Sequence, residues 1–336
     1  MRKSILALAC ALPFAAAADI PSYQPKPVAI PGDAGYVQAD GAVYIVGNDG
    51  MEDILDKFNA LFAQTHPGVK FRMLLKGSST GIGGLTAGVS AFAPMGRDAW
   101  GTDVSGFKEM YGFRPFDIHI GYDGYTRAGH KNPPAVYVNA KNPLAGVTLE
   151  QLARVFTSGQ PAGDITRWRQ LGVKGEWAKR AIHVYGQQDD GGGATAIRKA
   201  SFGGRAFTRE YEELAKPCEV VNAVAEDPYG IGLAGFCDAA KTSPDVKVLP
   251  LAWKAGAPFA TPAYDDVRAG RYPLAVHMRL YAVRKPGQPL DPLVKEYARL
   301  VLSKEGQAII AAQKDSEEGF VPLNDAEIED QLKRLE

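Results

Sequence analysis

The sequence predicts an α/β protein of two lobes, each a mainly parallel sheet flanked by helices. Three observations predict it. Strand-like and helix-like segments alternate along nearly the whole chain, and the alternation stops and restarts once, after about residue 121. The length of 336 residues also exceeds the roughly 250–300 at which a single hydrophobic core stops growing.

In the first unit Ala42 to Val46 reads as a strand. Met51 to Thr65 reads as an amphipathic helix with Ile54, Leu55, Phe58 and Phe62 on one face. Val69 to Leu75 is a second strand, Ile82 to Val89 a helix and Ala91 to Met95 a short third strand. A helix over Asp103 to Tyr111 and a strand over Asp117 to Ile120 follow. The second unit opens with a strand at Ala135 to Asn139. A helix then begins at Thr148, where Thr148 and Gln151 form the two halves of a capping box. Further strands fall at Ala181 to Tyr185, Gly230 to Leu233 and Val246 to Leu251, with a helix from Ala194 onward. Leu280 to Val283 is a last strand, and helices from Asp291 to Leu302 and Lys304 to Gln313 close the chain.

The N-terminus stands apart. Arg2 and Lys3 precede an apolar run from Ile5 to Phe14 and four alanines ending at Ala18, the pattern of a secretory signal peptide over residues 1–18. Cys10 sits too early for a lipoprotein signal, so lipidation is the less favoured reading. Residues 19–40 hold Pro21, Pro25, Pro27 and Pro31 and read as an extended arm. No later run has the roughly 18 apolar residues of a membrane-spanning helix.

Lys plus Arg number 38 against 38 Asp plus Glu, which excludes a chain-wide electrostatic grip on nucleic acid and demands a local site for any charged ligand. Ligands of such folds sit at the carboxyl ends of strands, where helix N-termini point. Four strand-to-helix loops there carry glycines beside hydroxyl, amide or charged side chains. They are Gly47-Asn48-Asp49-Gly50, Gly77-Ser78-Ser79-Thr80-Gly81, Met95-Gly96-Arg97-Asp98 and Gln187 to Thr195. Each presents N–H donors at a helix start, which suits an anion. Any one of them alone reads as ordinary helix capping.

Taken in order, these pieces resemble the PstS-like phosphate-binding proteins of bacterial ABC importers. Gly77 to Ile82 resembles that family's Gly-Ser loop, and Arg97-Asp98-Ala99 stands where it has Ser-Asp-Ala. Asn142-Pro143 with Leu149 to Phe156, Ile165-Thr166-Arg167-Trp168, Tyr272-Pro273-Leu274 and Leu302 to Gln307 continue the likeness, which spans Val43 to Leu323. The resemblance implies a two-lobed periplasmic binding protein fold. One lobe combines residues 40–121 and 275–336, and the other holds 122–274, joined by two hinge crossings. It also implies a monomeric periplasmic receptor without a cofactor, which closes on inorganic phosphate or a similar oxyanion and docks on a permease in the inner membrane. The implied ligand contacts are Asn48, Asp49, Gly50, Ser78, Ser79, Thr80, Arg97 and Asp98 from one lobe. Gln188, Asp190, Gly191, Gly192 and Thr195 would come from the other. The fourth loop departs from the pattern, since Gln188 stands at an arginine position and Gly192 at a serine position. The bidentate cation that would clamp phosphate there is missing. Asp98 matches an acceptor for a protonated phosphate oxygen, with helix capping or pairing to Arg97 as its structural alternative.

Two rival functions remain in the sequence. Gly77 to Gly81 fits G-x-S-x-G, with Ser79 as nucleophile and His277 later in the chain, the order of an α/β-hydrolase. A non-transport sensor or adhesion protein on the same fold is the other. His66, His119, His130, His183 and His277 show no paired metal spacing. Removal of the signal leaves Cys218 and Cys237, which either pair in a disulfide or stand as separate buried thiols.

Overall fold

A computed structural model describes residues 20–127, 133–190, 192–235, 237 and 243–336. The expected signal peptide, Gly191 and His130 lie outside the described residues.

The first unit holds β1 (Val43–Gly47), α1 (Glu52–Thr65), β2 (Phe71–Leu75), α2 (Ser78–Thr86), β3 (Ala93–Met95), α3 (Gly101–Tyr111) and β4 (Phe116–Tyr122). The second holds β5 (Ala135–Asn139), β6 (Val147–Thr148), α4 (Leu149–Phe156), β7 (His183–Gln187), α5 (Gly193–Ser201), β8 (Tyr211–Leu214), α6 (Pro217–Glu226), β9 (Gly230–Ala234), β10 (Val246–Val248), β11 (Leu251–Ala252) and α7 (Tyr264–Arg268). The chain then returns through β12 (His277–Ala282) and ends with α8 (Pro292–Val301), α9 (Lys304–Ala311) and α10 (Asp325–Arg334).

Two sheets result. β1 and β2 pair in parallel, and the amides of Ala91 and Asn48 reach the carbonyls of Tyr44 (3.0 Å) and Pro94 (2.9 Å), which sets the β3 segment beside β1. β12 inserts between β3 and β4, antiparallel to both. The second sheet has the order β10-β5-β9-β7-β8, with β5 antiparallel to both neighbours. One strand in each sheet therefore runs against the rest. β5 and β12 are the strands by which the chain enters from the other sheet, so each starts at the edge where its neighbours end.

Apolar spacing explains the packing. Ile54, Leu55, Phe58 and Phe62 of α1 are fully buried on the single face their periodicity predicts. Phe62 meets Tyr297 of α8 with ring centres 5.5 Å apart. Asp291 caps α8 by accepting from the amides of Leu293 and Val294, ahead of Pro292 at the first helical position. The capping box of Thr148 and Gln151 starts α4 as its spacing predicts. Residues 20–40 form no helix; the first part lies along α8 and α9, where the amides of Tyr23 and Lys26 donate to Glu305 (2.7 Å) and Glu296 (2.9 Å), and Val37 bridges Val43 of β1.

The structure corrects one boundary that bears on the site. α2 starts at Ser78 rather than at Ile82. Gly77 adopts a φ of +98°, which lets the chain turn from β2 straight into the helix. The glycines of α2 hide it from a propensity reading. Gly84 serves packing instead, since a Cβ there would stand 2.8 Å from the Cβ of Val46. β8, α7 and α10 carry signals too short or too polar for the sequence reading to find, and it misses α6 although Val220, Val221 and Val224 mark a buried face.

Candidate functional site

The site grows from the strand ends of the first sheet. Asn48 follows β1, and its side-chain oxygen accepts from the amide of Gly50 at 2.8 Å. Its Nδ2 donates to Ser78 Oγ at 3.1 Å, and the same Oγ accepts from the amide of Gly96 at 3.1 Å. One hydroxyl thus ties the loops after β1, β2 and β3 into a single polar platform. Thr80 turns its hydroxyl back to the carbonyl of Gly77 at 2.9 Å, while Ser79 is exposed.

Beyond this platform the two units face each other across a cleft of about 950 Å³. The first wall carries Arg97, Asp98, Trp100 and Arg114, and the second carries Gly192, Gly193 and Lys199 of the α5 region. The base is the return crossing from Pro273 to Arg279, with Trp253 beside it. A smaller recess of about 320 Å³, sharing Asp123, Pro134 and Val276 with the cleft, takes in Asn48, Asp49 and Gly50. Glu317 and Glu318 make its outer side acidic.

Arg97 is held in place by its own loop. Its guanidinium lies 3.9 Å over the Trp100 ring, and Nη1 donates to Asp103 Oδ2 (2.9 Å) and the carbonyl of Asp98 (2.8 Å). Asp103 also accepts from the amide of Trp100, which starts α3. Arg97 Nη2 is buried and has no partner among the described residues.

Asp98 neither caps α3 nor pairs with Arg97, and both structural expectations for it are corrected. It forms a close ion pair with Arg279 of β12, whose Nη1 also donates to Asp117 of β4 at 2.6 Å. Burial opposes the charge on Arg279, but Asp117, Tyr281 and Asp98 hold its pKa above the ordinary value. Burial alone would raise Asp117, yet the His119 hydrogen bond and Arg279 hold it below the usual carboxylate range. The network continues through His119, stacked 4.2 Å from His277, to Glu327, which also accepts from the Tyr122 hydroxyl. Burial is the main cause that lowers the pKa of His277, against the opposing pull of Glu327.

On the opposite wall the fourth loop works differently from expectation. Asp189, not Asp190, is the organising carboxylate. It accepts from the Thr195 hydroxyl at 2.6 Å and pairs with Arg198 at 2.9 Å. Burial would raise its pKa, but these partners lower it. Asp190 is exposed and accepts from the amide of Gly192 at 3.0 Å, and Gln188 is exposed as well. Of the expected contacts, Arg97, Asp98 and Gly192 line the main cleft, and Asn48, Asp49 and Gly50 line the recess. Ser78 bonds to Asn48 of the recess and Gly96 of the cleft but lines neither, and nor do Ser79, Thr80, Gln188, Asp190 and Thr195.

Sequence reasoning missed Arg279, Trp100, Lys199 and Trp253. A charge inside the apolar strand His277-Met278-Arg279-Leu280-Tyr281 was the available signal for the first, because a buried charge needs partners. Cys218 and Cys237 are joined in a disulfide, Cα atoms 5.1 Å apart, away from the residues that line the cleft. Among the described residues no group of three or more His, Cys, Asp or Glu is placed to hold a metal ion. No helix there is long and apolar enough to cross a membrane.

Strand ends and helix starts of the two units converge on a polar cleft, the arrangement of a ligand-binding fold. His277 is engaged by Glu327 and His119, and Ser79 is absent from the cleft that His277 lines, so this serine and this histidine do not meet. The chain belongs to the PBP superfamily, whose domain matches residues 34–305. It is 28% identical over 298 residues to the phosphate-binding protein PstS of Pseudomonas aeruginosa, spanning 88% of this chain and 87% of that one. The fold matches crystal structures of PstS from Borrelia burgdorferi (TM-score 0.56, 18% identity) and an ABC-type phosphate transport receptor from Vibrio cholerae (TM-score 0.50, 18% identity). Each match covers 84% of this chain and 99% of the other.

Proposed function

We propose that this chain is the periplasmic receptor of an ABC importer and captures phosphate or a related oxyanion by closure of its lobes. The platform centred on Ser78 carries the reading. Ser78 Oγ accepts from Asn48 and Gly96, so its own proton remains for a further acceptor. Arg97, with one buried nitrogen unpartnered, supplies positive charge beside it. The amides at the start of α5 approach from the other lobe. Residues 40–121 with 275–336 move against 122–274 about the segments that join β4 to β5 and β11 to β12. A signal peptide over residues 1–18 delivers the protein, which works as a monomer and hands its ligand to a permease of the inner membrane.

The relative of similar length named for phosphate binding supports this class of ligand. The test is calorimetry of ligand-stripped protein against phosphate, sulfate and molybdate, followed by small-angle scattering at saturation. The expected result is binding of at least one oxyanion with a decrease in the radius of gyration. An unchanged radius with a bound ligand refutes closure.

A further inference from the structure

We propose that the anion this cleft carries bears an organic group, as a phosphomonoester or a phosphonate does, with its phosphoryl end toward Arg97 and its organic end against Trp253. The inference rests on the oxyanion reading above and narrows its ligand class. The polar groups of the cleft are spread apart rather than gathered into a cage. Arg97 and Arg114 stand on one wall and Lys199 on the other, and Arg114 and Lys199 have no ion-pair partner among the described residues. Arg97, Arg114, Lys199 and Arg279 line the cleft against Asp98, Asp117 and Asp123, so its formal charge is positive by one.

Between these cations the surface is apolar. On α5, Gly193, Ala196, Ile197 and Ala200 share the face that lines the cleft, by their spacing of three and four. Lys199 lies six residues beyond Gly193, about 9 Å along the helix axis. A bare tetrahedral ion held by the helix start leaves Lys199 and this apolar face unused. An ion with an organic arm covers them.

Trp253 supplies the counterpart. Its side chain is 53% exposed, the indole N–H is fixed on the carbonyl of Gly270 at 3.0 Å, and the residue lines the same cleft. An anchored indole that leaves half its surface exposed in a cleft offers a stacking surface. The second wall also offers little to clamp a small dianion, because Thr195 and Arg198 are committed to Asp189.

The experiment is calorimetry of ligand-stripped protein with inorganic phosphate, phenyl phosphate and phenylphosphonate, on the wild type and on Trp253→Ala. The expected result is that an organic anion binds about tenfold tighter than inorganic phosphate, and that Trp253→Ala weakens the phenyl compounds by about that factor more than it weakens inorganic phosphate. Comparison of the two phenyl compounds tells an ester from a carbon-linked group. Inorganic phosphate binding as tightly as both phenyl compounds overturns the inference while leaving the receptor reading intact. An unchanged margin in Trp253→Ala also overturns it. Failure of all three anions to bind overturns the inference, and failure of sulfate and molybdate as well refutes the oxyanion reading itself.

Discussion

Replacing Arg279 by methionine keeps the apolar stem of the side chain and removes the charge that joins three elements of the first lobe. Arg279 is 12% exposed at its side chain, Asp117 28% and Asp98 45%. Stranding a buried charge costs about 3–5 kcal/mol. Asp98 is half hydrated and contributes at the level of a surface pair, about 0–1 kcal/mol. Asp117 keeps His119 at 3.3 Å, which offsets part of its loss. The expected destabilisation is therefore about 2–3 kcal/mol, most of it from Asp117. Urea unfolding near neutral pH, followed by circular dichroism, measures it. The cost should shrink in acid, because a protonated Asp117 needs no cation. Adding Asp117→Asn to Arg279→Met should recover about 1 kcal/mol, since the stranded charge is then gone. A loss below about 0.5 kcal/mol refutes the assignment of a structural role to this network. So does a stable variant that has lost anion binding, which would place Arg279 in ligand recognition.

Ser78→Ala leaves the Nδ2 of Asn48 and the amide of Gly96 without their acceptor, at a cost of about 1–3 kcal/mol, and should weaken oxyanion binding in the same variant. Denaturation and calorimetry on one preparation read both effects. The disulfide between Cys218 and Cys237, 19 residues apart, contributes about 3 kcal/mol by restricting the unfolded chain. A thiol titration of the denatured, unreduced protein should find neither thiol free, and reductant should lower the urea midpoint. Acid should act in two stages. The lowered pKa of His277 means that its contribution is complete above about pH 6.5 and is lost as the pH falls toward its folded value. Asp117, Asp189 and Glu327, also lowered, contribute fully above about pH 4.5 and lose that contribution as the pH falls through their folded values. Urea midpoints measured down to about pH 3 should fall in both windows, and His277→Gln should flatten the upper one.

The alternation of β and α segments, the face of α1 and the capping box of α4 were legible in the sequence, because each depends on neighbours within a few turns. The loops after β1, β2 and β3 were legible as a group of helix starts for the same reason. What the sequence leaves open is which of their polar atoms stay free for a ligand. Thr80 and Thr195 look like donors in the primary structure, but each gives its hydroxyl to a local acceptor, Gly77 or Asp189. Asp98 looks like a ligand carboxylate, yet its partner Arg279 lies 181 residues further along and reaches it only because β12 inserts between β3 and β4. Lys199 and Trp253 carry no motif at all, and only the cleft gives them a shared surface. Local periodicity and helix-start chemistry are written in adjacent residues, so the sequence alone determines them. The ligand surface is decided by which distant side chains neutralise one another, and that follows only from the tertiary fold.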